Sequence, residues 1–139
     1  MRTTLERDAA SRAIGELRLP AEASKLGEAR AYAYGAAAQL GLDADSCYEF
    51  AFAVNEAVTN AIRHGAPDEH GHIHLSVCCD GDRLTLAIRD YGTFVGSRQQ
   101  AAASVERGRG FALMSHMVDA VQLCVESEST TVLLSVART

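Results

Sequence analysis

The sequence contains no apolar run that approaches the roughly 20 residues of a membrane-spanning helix. Residues 1–13 also lack the apolar segment that a signal peptide requires. Basic residues are few, and the net charge of -5 argues against a nucleic-acid-binding protein, because contacts to phosphates require a basic face. We therefore expect a cytoplasmic protein that binds other proteins or small molecules, with no nucleic acid and no membrane among its partners.

Thiol and metal chemistry are only weakly indicated. A strand would point the adjacent Cys78 and Cys79 to opposite faces, and no C-x-x-C pair is present, so we expect buried, reduced thiols. His70, His72 and His74 alternate on entry to a predicted strand, and the last two could hold a metal ion on one side of it. Paired surface histidines without cysteine or carboxylate support usually lie in solvent, and we favour that interpretation. The four cysteines are Cys47, Cys78, Cys79 and Cys124.

Changes in hydrophobic periodicity divide the chain into strands and helices. At 139 residues and 47% hydrophobic composition, the chain is sized for a single domain, 1–139, with its core between about residues 14 and 137. The predicted elements are a strand over 14–19 ending at Pro20, which opens the next helix; a helix over 21–40; a helix from Asp43 or Asp45 to Gly65; a hairpin of 73–77 and 84–88; a loop over 93–107; a helix from Gly108 to Met117; and a hairpin of 121–125 and 132–136. This order predicts an α+β fold, a two-layer α/β sandwich in which helices cover one face of a mixed, mostly antiparallel sheet.

A polar stripe runs along the second predicted helix. Glu56, Asn60 and His64 follow one another at i, i+4 spacing, so they share one face of the helix. Val54, Val58 and Ile62 have the same spacing on the opposite side and would hold the helix against a core. A solvated helix face would more often carry Lys, Arg and Glu. The combination of a carboxylate, an amide and an imidazole therefore indicates a functional site.

Asp90-Tyr91-Gly92 ends the second strand of the first predicted hairpin. The Asp90 carboxylate can accept a hydrogen bond from an amine, while Gly92 has no side chain and would let a flat ring lie close to the backbone. Aspartate and glycine are also ordinary turn residues, so this motif by itself is weak and more often marks a simple turn.

Gly108-Arg109-Gly110 precedes another predicted helix, where glycines would let a phosphate approach backbone N–H groups. The segment is not a Rossmann fingerprint, because Leu113 stands in place of the third glycine. It is not a P-loop either, because the only lysine, Lys25, follows no glycine pattern. Phosphate charge would therefore be met by the helix dipole, a metal ion and arginines. The candidate arginines are Arg98, Arg107 and Arg109.

The ordered combination of these motifs resembles the histidine-kinase-like, gyrase-like and MutL-like ATPase superfamily, whose nucleotide-binding fold is the Bergerat fold. Within it, three segments look like those of the RsbW/SpoIIAB-type anti-sigma-factor serine kinases. The segments are Leu17-Arg18-Leu19-Pro20, residues 55–64 and residues 108–114. The likeness extends from about Ile14 to Val136.

The resemblance implies roles for the polar stripe and for the glycines. Glu56 would be the general base that orients or deprotonates the attacking hydroxyl, since phosphoryl transfer depends mainly on alignment and charge stabilisation. Asn60 would bind Mg²⁺ through its amide oxygen, because a hard cation prefers oxygen ligands. His64 would support the nucleotide site, and Gly108 and Gly110, with Arg107 and Arg109 beside them, would hold the phosphates of ATP.

The resemblance also implies an adenine site. Asp90 would accept a hydrogen bond from the exocyclic amine of adenine and so favour ATP over GTP, while Gly92 would make room for the ring. Thr130 matches a threonine that reaches adenine together with this aspartate. Phe94 and Ser129 stand where glycines are usual in the family. The first departure bears on closure of the 93–107 loop and the second on the stability of the last hairpin turn.

The implied function is a serine/threonine protein kinase that uses ATP and Mg²⁺ to phosphorylate a STAS-type anti-anti-sigma protein. It would alternatively bind a sigma factor, usually as a homodimer. One alternative is a nucleotide-dependent switch module without kinase activity, although such a module has little reason to keep Glu56. Others are the stand-alone catalytic domain of a histidine kinase, which would need an acceptor histidine on a partner, and an α/β domain with accidental motifs.

Overall fold

The computed structural model describes residues 13–92 and 114–138. The predicted 93–107 loop lies outside the described residues, as do Arg107, Gly108, Arg109 and Gly110. The strands are β1 (Ala13–Pro20), β2 (His72–Asp80), β3 (Arg83–Asp90), β4 (Ala120–Val125) and β5 (Thr130–Ala137), and the helices are α1 (Leu26–Leu40) and α2 (Ala44–His64). A 3-10 turn over Ala23–Lys25 precedes α1, and residues 114–117 are helical.

The five strands form one sheet in the order β1-β2-β3-β5-β4, and helices α1 and α2 pack on one face of it. Alternate residues of β2, β3 and β5 are buried on the side that faces the helices, as with Leu75 of β2 and Leu86 of β3. These observations confirm the predicted α+β class and the helix-covered sheet.

The prediction of a mixed sheet is wrong for the described strands, because every pair of neighbours is antiparallel. Two helices connect β1 to β2, so β2 begins at the same end of the sheet at which β1 finishes. Pro20 therefore lies opposite His72, and the two strands run in opposite directions. A single crossover helix would have been needed to bring a parallel strand beside β1.

Helix α1 begins at Leu26, five residues later than predicted, and Pro20 lies at the end of β1 instead of opening the helix. The backbone N–H of Ala21 donates to the carbonyl of Gly71 at 3.0 Å and so extends the contact between β1 and β2 past Pro20. The backbone therefore stays extended beside β2 through Ala21, and the helix can begin only after it. Helix α1 ends as predicted at Gly41, whose φ of 98° is the left-handed conformation that favours glycine.

Helix α2 matches its prediction closely. Asp43, and not Asp45, is the N-cap residue, and its Oδ1 accepts a hydrogen bond from the Ser46 backbone N–H at 2.7 Å. This bond lowers the pKa of the Asp43 carboxyl below its ordinary value. Phe50, Val54 and Val58 are fully buried against the sheet. No helix in residues 13–92 or 114–138 is long and apolar enough to cross a bilayer.

The cysteines are all free, which agrees with the expected reduced thiols. The expectation that all four are buried is wrong. Only Cys47 is buried, because it lies on the core side of α2, and burial raises the pKa of its thiol. Cys78 and Cys79 near the end of β2 and Cys124 of the edge strand β4 are partly exposed.

Candidate functional site

The polar stripe of α2 lies where the sequence placed it. Glu56, Asn60 and His64 are all partly buried, and the fully buried Val54 and Val58 occupy the core side of the same helix. Within the described ranges, neither the Glu56 carboxylate nor the Asn60 amide makes a hydrogen bond or an ion pair. Among the described residues, no other group therefore occupies the oxygens that a ligand or a cation would need.

Asp90 and Thr130 lie opposite each other where β3 ends and β5 begins. Each is only 3% exposed, so two polar side chains are buried side by side in the sheet. The Asp90 carboxylate accepts a hydrogen bond from the Gly92 backbone N–H at 2.9 Å. The structure thus brings together two of the residues assigned to adenine, although 40 positions of sequence separate them.

The Asp90 carboxyl group fits into a notch between two glycines. A Cβ atom at Gly65 would lie 2.5 Å from Asp90 Oδ1 and 2.7 Å from the carbonyl oxygen of Ala61. A Cβ atom at Gly92 would lie 3.1 Å from the same Oδ1 and 3.0 Å from the Cα of Gly65. Any side chain at Gly65 would displace the carboxylate, and Gly65 directly follows α2. The notch therefore fixes Asp90 at the end of the helix that carries Glu56, Asn60 and His64.

Sequence reasoning treated Gly65 only as the end of α2 and missed its part in the site. The available signal was its position, directly after His64 and within a segment that otherwise carried functional residues. A glycine is expected at a helix end for conformational reasons. Here its φ is -95°, so the need for glycine comes from the close approach of Asp90 and not from a left-handed backbone.

A second group of residues that sequence reasoning missed lies next to Asp90. Tyr91 donates its backbone N–H to the carbonyl of Ala66 at 2.8 Å, and its hydroxyl lies 3.0 Å from His74 Nδ1. The other ring nitrogen of His74, Nε2, lies 2.6 Å from Asp68 Oδ2. The side chains of Asp68, His74 and Tyr91 thus form a continuous chain of hydrogen bonds that ends beside Asp90.

The interpretation of the histidines as solvated residues is wrong for His74. The Asp68 carboxylate is its partner. Asp68 also accepts the backbone N–H groups of His70 at 2.8 Å and His72 at 2.9 Å. The bond from His72, the largest cause, lowers the pKa of the Asp68 carboxyl well below its usual range, and the bonds from His74 and His70 add to this. No group of three potential metal ligands occurs among the residues that the structure describes.

The arrangement offers two sets of polar groups. Asp90, beside the C-terminal end of α2, suits a flat ring that carries an amine, and Glu56 and Asn60, within the helix, suit a metal ion with bound phosphate. The buried Asp90 is an acceptor, and the notch leaves no side chain at Gly65 or Gly92 to block a ring. The amide oxygen of Asn60 and the carboxylate of Glu56 are hard oxygen donors, which is the donor set that Mg²⁺ prefers. The residues present therefore fit a magnesium nucleotide.

Comparisons with known proteins identify the family of the chain. A family model described as a histidine kinase-like ATPase domain matches residues 19–136. The anti-sigma F factor of Anoxybacillus flavithermus is 36% identical over 105 residues, which cover 68% of this chain and 72% of that protein. The anti-sigma F factor of Geobacillus stearothermophilus is 36% identical over 112 residues, covering 72% and 75%. The serine-protein kinase RsbW of Bacillus velezensis is 33% identical over 78 residues, covering 55% and 49%.

Solved structures share the fold at lower identity. A structure of the RsbU and RsbW domains of a Mycobacterium tuberculosis protein superposes with a TM-score of 0.68 at 20% identity, covering 88% of this chain and 32% of that one. The SiaB–SiaC complex of Pseudomonas aeruginosa gives a TM-score of 0.59 at 12% identity, covering 95% of this chain and 94% of that one. Because the family model spans most of the sequence, the chain belongs to the histidine kinase-like ATPase family, as its motifs predicted.

Proposed function

We propose that this chain is an ATP-dependent serine/threonine protein kinase of the anti-sigma-factor type, with one ATPase domain over residues 1–139. The structural observation that carries the proposal is the buried Asp90–Thr130 pair, held by the Gly65 notch at the end of the helix that bears Glu56 and Asn60. The kinase class is that of the relative named serine-protein kinase RsbW, and the anti-sigma role is that of the relatives named anti-sigma F factor.

The adenine ring of ATP binds next to Asp90. The carboxylate accepts a hydrogen bond from the exocyclic amine, and Thr130, directly across the ladder, supplies a hydroxyl to the same ring. Guanine presents a carbonyl oxygen in place of that amine, and an oxygen facing a carboxylate is repelled. This geometry therefore favours ATP over GTP.

The phosphates lie toward the α2 stripe. Asn60 would hold Mg²⁺ through its amide oxygen, and the bound ion would supply positive charge to the triphosphate. Glu56, one turn earlier on the same face, accepts the proton of the incoming serine or threonine hydroxyl. The hydroxyl oxygen forms a bond to the γ-phosphorus, the bond to the β–γ bridging oxygen breaks, and ADP leaves. His64 supports the nucleotide from the last turn of the helix, and Arg107, Gly108, Arg109 and Gly110 hold the phosphates.

The substrate is a STAS-type anti-anti-sigma protein, and the alternative partner is a sigma factor. Support comes from relatives whose names describe anti-sigma factors and from a structural neighbour solved as a two-protein complex. In this role the protein works in the cytoplasm as a homodimer, and transcription switches according to which partner it holds. Neither nucleic acid nor membrane is needed for that exchange.

The test combines calorimetry of ATP binding in Mg²⁺ with transfer of labelled γ-phosphate to STAS proteins. Glu56→Gln should retain ATP affinity while the transfer rate falls by about 10²–10⁴-fold, the usual contribution of a general base. Glu49→Gln, an exposed change on the same helix, should transfer phosphate at the wild-type rate. Phosphotransfer by Glu56→Gln at the wild-type rate would refute the base. ATP binding without transfer to any STAS protein would identify a switch module instead of a kinase.

A further inference from the structure

Three hydrogen-bonded side chains connect the turn after α2 to residues 90–92, the segment that the proposed function places beside adenine. Asp68 Oδ2 lies 2.6 Å from His74 Nε2, and His74 Nδ1 lies 3.0 Å from the hydroxyl of Tyr91, the residue between Asp90 and Gly92. We propose that Asp68, His74 and Tyr91 are positioning residues that hold the Asp90–Gly92 segment in the geometry that binds adenine. The proposal rests on the proposed function of Asp90 as the adenine acceptor.

The charge of Asp68 determines which group donates and which accepts in each of these hydrogen bonds. An ionised carboxylate can only accept, so His74 Nε2 must carry the hydrogen that it shares with Asp68. In a neutral imidazole the remaining nitrogen, Nδ1, is then an acceptor, and the Tyr91 hydroxyl donates to it. One carboxylate thus sets the tautomer of His74 and, through it, the orientation of the Tyr91 hydroxyl.

Asp68 is itself fixed by the backbone around it. Its Oδ1 accepts two backbone N–H groups, from His70 and His72, and its own N–H donates to the carbonyl of His72 at 2.8 Å. The Gly71 N–H donates to the carbonyl of Asp68 at 3.0 Å. The Asp68 side chain is 15% exposed and that of His74 is 32% exposed, so water competes only partly for these bonds. These backbone bonds therefore fix the position of the Asp68 carboxylate to which His74 is bonded.

Tyr91 is held by contacts of its backbone, its hydroxyl and its ring. Its backbone N–H bonds to Ala66, its hydroxyl to His74, and its ring packs edge-on against the His74 ring at 5.2 Å. The Arg89 guanidinium lies over the Tyr91 ring at 5.1 Å from the centroid. The next N–H, that of Gly92, bonds to Asp90 Oδ1. Movement of Tyr91 would therefore move the peptide that orients the Asp90 carboxylate.

A purely structural role and a positioning role predict different results. A structural hydrogen bond contributes to the free energy of unfolding but leaves ATP affinity unchanged in the folded protein. A positioning bond keeps Asp90 in its binding geometry, so its loss reduces the population of the competent conformation and the apparent affinity falls in proportion. Two measurements on folded variants separate these roles: the ATP dissociation constant and the exchange rate of the Gly92 amide hydrogen.

Tyr91→Phe is the decisive variant, because it removes only the hydroxyl and keeps the ring beneath Arg89. Tyr32→Phe is its matched control, since the Tyr32 hydroxyl donates to the carbonyl of Gly15 at 2.8 Å, away from Asp90. We expect Tyr91→Phe to weaken ATP binding by about two- to tenfold, the loss corresponding to one neutral hydrogen bond, and to speed Gly92 amide exchange. Tyr32→Phe should change neither quantity. His74→Leu should match Tyr91→Phe, and combining the two changes should weaken binding no further.

Two outcomes would overturn the positioning role, and a third would overturn the proposed function on which it rests. Unchanged ATP affinity in Tyr91→Phe, with wild-type binding intact, would overturn the positioning role. Unchanged Gly92 exchange would show that the chain does not hold the segment. Absence of ATP binding in the folded wild-type protein would overturn the proposed function itself, and Gly92 exchange, which needs no nucleotide, would then still report whether Tyr91 holds the segment.

Discussion

Asp90 and Thr130 face each other as register partners across β3 and β5, and both side chains are buried. A buried carboxylate beside a buried hydroxyl is costly unless both are hydrogen-bonded, and part of that requirement is met by the Gly92 N–H. The pair therefore forms a buried polar position in a largely apolar layer.

Asp90→Asn should bind ATP about ten- to a hundredfold more weakly than the wild type, because hydrogen bonds to charged groups contribute about 1.5–3 kcal/mol. Thr130→Val, which keeps the shape of the side chain, should lose about two- to tenfold through one neutral hydrogen bond. Calorimetry on variants with wild-type circular dichroism gives both values. ATP affinities equal to that of the wild type in both variants would show that adenine does not bind at Asp90 and Thr130.

Gly65→Ala should lower the free energy of unfolding by roughly 1–3 kcal/mol, since the new methyl group overlaps the Asp90 carboxyl. Gly35→Ala is the matched control: Gly35 is an exposed residue of α1, and no atom lies within 4 Å of a Cβ placed there. That change should stabilise the helix by roughly 0.5–1 kcal/mol. Urea unfolding at pH 7 measures both. A Gly65→Ala protein as stable as the wild type would show that Asp90 does not pack tightly against Gly65.

Asp68 should contribute to stability in a pH-dependent way. Its pKa is lowered in the folded protein from the ordinary value of 3.8, chiefly by the His72 N–H, so the unfolded chain binds a proton more readily than the folded one. The stabilisation is therefore fully present above pH 3.8 and is lost as the pH falls through the lower, folded pKa. The difference in unfolding free energy between wild type and Asp68→Asn should shrink on acidification below pH 3.8. Denaturant titrations at a series of pH values would show it, and a constant difference would contradict it.

Asn60 should account for the magnesium dependence of ATP binding. Wild-type protein is expected to bind ATP more tightly in Mg²⁺ than in a chelator, and Asn60→Ala should lose most of that difference because the amide oxygen is removed. Asn55→Ala is a suitable control, since Asn55 lies on the same helix and its amide accepts from Arg30 at 2.8 Å. Titrations with and without Mg²⁺ measure the effect. An Asn60→Ala protein with full magnesium dependence would assign the ion to other ligands.

The elements that could be predicted from the sequence are those with local causes. The limits of α2 follow from the Asp43 cap, the apolar spacing of Val54 and Val58, and the glycine at the end of the helix. The β2–β3 hairpin follows from alternating residues on either side of Gly81, whose φ is 62°. Each of these signals acts over a few residues, so it can be read without knowledge of the rest of the fold.

The features that could not be predicted depend on contacts between distant segments. The late start of α1 results from a bond between Ala21 and Gly71, 50 positions apart. The need for glycine at position 65 results from Asp90, which reaches it only after the sheet has formed. His74 alternates with two other histidines, a pattern that favoured solvated side chains over a metal site, whereas its actual partners are Asp68 and Tyr91. No local pattern specifies such partners.

The two faces of α2 have a consequence for changes in chain length. The same 21 residues present Val54 and Val58 to the core and Glu56 and Asn60 to the opposite side. Inserting one residue after Phe50 would rotate the rest of the helix by about 100° relative to the sheet. Valines would turn toward solvent and the Glu56 carboxylate toward the core in one step. This helix therefore tolerates replacement of an exposed side chain such as Tyr48 but no insertion or deletion, because either would remove the core and the site together.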